Sequence, residues 1–96
     1  MMFRAGEIFE HSFRTIGGEI GLLAEVRIMA DTIWLKDVAI YPVHGEKLII
    51  GSTEVKKCLT QLEDMARTSG FQRLRITGKR VSGASKGRQV NLMRIL

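Results

Sequence analysis

The residues that could do chemistry crowd into one run, Arg75-Ile76-Thr77-Gly78-Lys79-Arg80-Val81-Ser82-Gly83-Ala84-Ser85-Lys86-Gly87-Arg88. Cations, hydroxyls and closely spaced glycines coincide there, so side-chain charge and exposed backbone amides can both address a phosphate. The simpler alternative is a solvated basic hairpin. The run is not a Walker loop. Gly78 and Gly83 have that motif's separation, but Ala84 stands where the motif needs its lysine, and a strand pattern rather than a helix follows. Charge sharpens the point. From Phe71 to Leu96 there are seven cations (Arg73, Arg75, Lys79, Arg80, Lys86, Arg88, Arg94) and no carboxylate, whereas the first seventy residues carry eight cations and ten carboxylates. The formal net charge of +5 is therefore a property of the last quarter, and it favours an anionic partner.

Ninety-six residues fit a single domain, 1–96, with one core. Hydrophobic residues make up 45% and charged residues 26%, as in ordinary globular chains, and a lone proline argues against disorder. Cys58 is the only cysteine, which excludes an intrachain disulfide and a multi-cysteine zinc site. Two histidines, His11 and His44, lie far apart without a spaced carboxylate cluster, so neither a metal nor another cofactor is expected. No apolar run reaches the length of a membrane span or resembles a signal peptide, which points to action in a cytoplasm.

The elements that must position the basic run follow from periodicity. Ile8, Phe9, Phe13 and Ile16 recur at near-helical spacing between Glu7 and Ile16, and Gly17-Gly18 ends the pattern, so a short first helix is expected, carrying His11 at its boundary. Ile20 to Ile28 alternates and reads as a strand; Ile33 to Tyr41, rich in aromatic and β-branched residues, reads as its hairpin partner, stopped by Pro42. Leu48-Ile49-Ile50 reads as a third strand or the lead into a helix. Ser52 offers a helix cap, and Val55, Cys58, Leu59, Leu62, Met65 and Ala66 form an apolar stripe that Gly70 terminates. Leu74 and Ile76 then alternate with Arg73, Arg75 and Thr77, placing two guanidiniums on one face of a strand, and Val90 to Leu96 closes the chain. The order reads α-β-β-α-β-β. An α+β fold is expected: a single twisted antiparallel sheet of four or five strands with the main helix packed on one face. Trp34 and Tyr41 have rings that can stack a base, but Trp34 on an alternating strand reads first as core.

The stretch from Glu63-Asp64-Met65-Ala66 through Gly70-Phe71 to Leu74-Arg75-Ile76-Thr77-Gly78-Lys79-Arg80-Val81-Ser82-Gly83-Ala84, with its alternating final strand, resembles the C-terminal toxin modules of bacterial polymorphic and contact-dependent inhibition systems. Those modules are grouped with the barnase, EndoU, colicin and RelE ribonucleases. Trp34-Leu35-Lys36-Asp37-Val38-Ala39-Ile40-Tyr41-Pro42 is similar to the strand preceding the helix there. The resemblance covers about two thirds of the chain; the acidic residue common near the family's final strand has no counterpart after Asp64. It implies a metal-independent ribonuclease-like toxin domain acting on RNA, with an acidic immunity protein as its inhibitor and possible delivery within a larger secreted protein. Attack by a 2′-hydroxyl needs a base, a cation for the phosphorane charge and an acid for the leaving oxygen. On this reading Arg80, Lys79 and Arg88 stabilise the phosphorane, Ser82 or Thr77 orients an oxygen, and His44 carries the proton. Arg73, Arg75, Thr77, Lys86 and Arg88 bind the RNA backbone. The alternative is a non-catalytic nucleic-acid-binding or protein-interaction module, which needs only the basic strand face. The turn Gly70-Phe71-Gln72-Arg73-Leu74 after a helix is also similar to acetyltransferases, but no glycine-rich pyrophosphate turn precedes the helix.

Overall fold

The computed structural model describes residues 3–15, 18–44, 52–79 and 89–96. They form five strands and one helix in the order β1 (Ile8–Thr15), β2 (Gly18–Met29), β3 (Thr32–Pro42), α1 (Ser52–Thr68), β4 (Arg73–Lys79) and β5 (Gln89–Ile95). The strands make a single sheet in sequence order. The fold class is thus α+β, with two corrections to the architecture expected above.

The first concerns the N-terminus: Glu7 to Ile16 is not a helix. Ile8–Thr15 pairs antiparallel with β2, Phe9 opposite Ala24 and Phe13 opposite Ile20. The physical reason lies in parity. Phe9 and Phe13 fall on one face of an extended strand and are buried, while Ile8, which supplied the helical spacing, is 66% exposed. His11 shares the face of the two phenylalanines, its ring 4.8 Å from Phe13 and 6.0 Å from Phe9.

The second correction is that the sheet is mixed. β1, β2 and β3 are antiparallel neighbours and β4 pairs antiparallel with β5, but β3 and β4 run parallel, Ile33 beside Leu74 and Leu35 beside Ile76. A strand that leaves the sheet through a helix and returns beside itself can re-enter in the same direction, because the helix carries the chain back over the face.

α1 lies against one face of this sheet. Its Leu62 and Ala66 join Phe3, Phe9, Phe13, Leu22, Ala24, Val26, Ile33, Leu35, Phe71, Leu74 and Ile76 in one core, with Cys58, Leu59 and Met65 packed at its margin. The helix ends as the sequence predicts. Gly70 has φ +93°, its amide donates to the Arg67 carbonyl, and the Phe71 amide reaches back to that of Ala66. This paired closure of the last carbonyls needs a left-handed residue, and it turns Phe71 into the core. The expected strand at Leu48-Ile49-Ile50 and the side chain of Ser52 lie outside the described residues.

β3 carries a bulge. Between Leu35 and Val38 it advances three residues while β4 advances two, and β2 registers the same extra residue. Asp37 takes it up in a left-handed conformation, φ +55°. The bulged backbone presses on β4: a Cβ on Gly78 would come within 2.8 Å of the Val38 carbonyl oxygen.

Candidate nucleic-acid interface

Strand alternation leaves a second face, opposite α1, which no described residue covers. Cross-strand register organises it into rows. One runs Met29, Thr32, Arg73, Ile95; the next runs Arg27, Trp34, Arg75, Met93. Beyond them lie Glu25 opposite Lys36 and Thr77 opposite Asn91. The buried residues between, Ile33, Leu35, Leu74 and Ile76, point to the helix side.

Trp34 is the hub of this face. Its indole Nε1–H donates to Thr77 Oγ1 at 2.8 Å, which leans the ring toward β4. The Arg75 guanidinium lies 4.7 Å from the ring centroid, and Lys36 Nζ lies 5.5 Å from it. Cations at this range are held by the negative face of the ring and keep an exposed aromatic partly covered. Trp34 is therefore not core, contrary to the sequence expectation: Ile33 and Leu35 take the helix side, and alternation leaves Trp34 half-buried on the open face. β4 and β5 contain no carboxylate, so the nearest acid in register is Glu25 on β2, already paired with Arg27.

Farther along the open face Tyr41 bridges three strands. Its ring crosses β2 above Gly21, where a Cβ would lie 2.2 Å from the ring, and its hydroxyl donates to Glu10 Oε1 on β1 at 3.2 Å. Partial desolvation, then the hydrogen bond to Glu10 and that carboxylate's charge, raise the phenol above its ordinary value of 10.0.

The residues singled out from sequence divide into four groups. Arg73, Arg75 and Thr77 stand together on the open face, Arg73 exposed and the other two half-buried. His44 follows β3, its exposed ring 2.9 Å from Glu19 Oε2. Ten positions along the chain, eight of them in β3, separate it from Trp34, roughly 30 Å at ordinary strand rise, so His44 and Arg75 do not share one site. Lys79 ends β4 opposite Gln89, at the end of the sheet where β3 also ends. Its side chain, and all of Arg80, Ser82, Lys86 and Arg88, lie outside the described residues. Arg94 points the other way, its guanidinium 3.6 Å from Glu63 on α1. Sequence reasoning passed over Lys36, Arg27 and Met93. The signal that would have found Lys36 is its parity with Trp34, which puts an aromatic and a cation on one face two residues apart.

Among the described residues there is no cluster of three or more metal-ligating side chains, and no helix is long and apolar enough to cross a membrane. No family model, no curated protein and no solved structure matches the chain.

Proposed function

We propose that the chain is an RNA-binding module that takes a single strand on its open sheet face, with Trp34 and Arg75 as a platform for a base and Arg73, Lys36 and Thr77 directed at the backbone. The observation that carries this reading is the Trp34–Arg75–Lys36 cluster, an aromatic ring and two cations on a face that nothing described covers. Aromatic and guanidinium planes stack any base, and neighbouring cations neutralise phosphates by releasing counterions.

The test is direct because Trp34 is the only tryptophan. Titrating single-stranded RNA at low salt should quench its fluorescence, and affinity should fall steeply as salt rises. Three engaged cations correspond to a log–log slope of about −2 on a single strand. Absence of binding at low salt, or affinity for end-labelled RNA unchanged in both Trp34→Ala and Arg75→Ala, overturns the reading.

A second reading, a ribonuclease toxin acting from the Lys79–Arg88 segment, draws on a separate observation: His44, hydrogen-bonded to Glu19, lies at the end of the sheet where β4 and β5 meet that segment. A carboxylate-paired imidazole is a competent proton carrier. This reading brings with it an acidic inhibitor protein and a cytoplasmic site of action. Incubation with total RNA in the presence of a chelator separates the two. Cleavage that Arg80→Ala and His44→Ala abolish supports the toxin, and intact RNA that nonetheless binds supports the module.

A further inference from the structure

We propose that β5 is a self-pairing edge, along which a second copy of the chain adds its own β5 antiparallel to make a continuous ten-stranded sheet. The inference concerns the edge backbone and stands apart from the RNA reading.

Among the described residues β5 is the last strand of the sheet, with β4 on one side only. The Leu96 amide donates to the Gln72 carbonyl on the β4 side. Alternation then directs the amides and carbonyls of Gln89, Asn91, Met93 and Ile95 to the open side. Their outward groups form a regular ladder of donors and acceptors without a proline to interrupt it. Edge strands ordinarily guard such a ladder with charge. β5 has one charge, Arg94, and its guanidinium is engaged with Glu63 on the helix side. On the open face the strand instead shows Met93, 54% exposed, and Ile95, 85% exposed. The opposite edge differs: β1 presents Glu10 and Arg14 as exposed charges.

The occupant follows from self-complementarity. A two-fold axis at Leu92 sets Asn91 against Met93 and Gln89 against Ile95 of the second copy, so every outward amide meets a carbonyl along the full seven residues. In that register Arg94 falls opposite Val90 and no two cations face each other. Leu92 meets its own equivalent on the helix side, and Met93 lies diagonal to its equivalent on the open face. The contact is isologous and closes at two chains, whereas β5 on β1 would be head-to-tail and open-ended. An edge contact of this size makes a weak, concentration-dependent dimer.

Sedimentation of the full chain without RNA, from dilute to near-millimolar protein, should show a monomer–dimer equilibrium. Met93→Pro removes an amide that meets no acceptor among the described residues of the monomer but donates in the dimer, and it should weaken association at least tenfold while the far-ultraviolet spectrum is retained. Should that variant fail to fold, the double substitution Met93→Lys, Ile95→Lys at two exposed positions gives the same loss through repulsion. Ser12→Lys on β1 should leave the dimer intact. A monomer at every concentration, a dimer that survives the β5 substitutions, dissociation by Ser12→Lys, or growth beyond two chains each overturns the proposal.

Discussion

The two faces of the sheet share their strands and little else. On the helix side Ile33 and Leu35 are fully buried among phenylalanines and aliphatic side chains, while one residue away Trp34 and Lys36 stand half-exposed among cations. A period of two lets a single strand serve a dry core and a wet, charged surface at once, so stability and the chemistry of the open face can be altered separately by adjacent substitutions.

The comparison breaks most visibly at Leu35. Leu35→Ala should cost about 2–5 kcal/mol in urea unfolding, because the helix above it cannot collapse into the space, while RNA affinity of the folded fraction holds. Next comes Gly78→Ala. Its new methyl meets the Val38 backbone at the bulge, which cannot retreat as a side chain would, and a loss of about 1–3 kcal/mol is expected in the same assay. Trp34→Ala inverts the pattern: it should lower RNA affinity by about 1–3 kcal/mol, the worth of one stacked base, and destabilise less than Leu35→Ala. Arg75→Ala should weaken binding less and reduce the salt slope by about 0.7, a difference read from affinity at several salt concentrations. The smallest effect sharpens the far end of the open face. Tyr41 is the only tyrosine, so tyrosinate absorbance reports it alone. Its midpoint should lie above 10.0, and Glu10→Gln should bring it down. Because the folded value is raised, the neutral phenol's contribution to stability is present below the ordinary value and is lost as pH rises through the folded one.

What could be read in the sequence was whatever rests on local chemistry. α1 and its glycine stop follow from a one-sided stripe and a residue tolerant of positive φ, and the β2–β3 hairpin follows from alternation before Asp31 and aromatic and β-branched residues after it. The sharing of one face by Arg73, Arg75 and Thr77 is likewise a matter of parity. The misreadings came where two periods fit the same residues. Phe9 and Phe13 lie four apart, which suits one helix face and one strand face equally, and Ile8 tipped the balance the wrong way. The parallel β3–β4 pair depends on where the chain re-enters the sheet after α1, and the bulge at Asp37 interrupts the period of two; no local pattern encodes either. Trp34 was assigned inward because a large ring usually is; two cations and a threonine hydroxyl make the outward placement tolerable.

The carbonyl of Asp31, in the β2–β3 turn, accepts from the amides of both Gln72 and Arg73. One oxygen of the β2–β3 turn thus meets the two amides at the start of a strand some forty residues downstream. The acceptor that marks the start of β4 lies in a strand pair made wholly of residues that precede α1 in the chain. A permuted chain opened between residues 31 and 32 would keep every buried side chain but turn that acceptor into a terminal carboxylate no longer held by the turn.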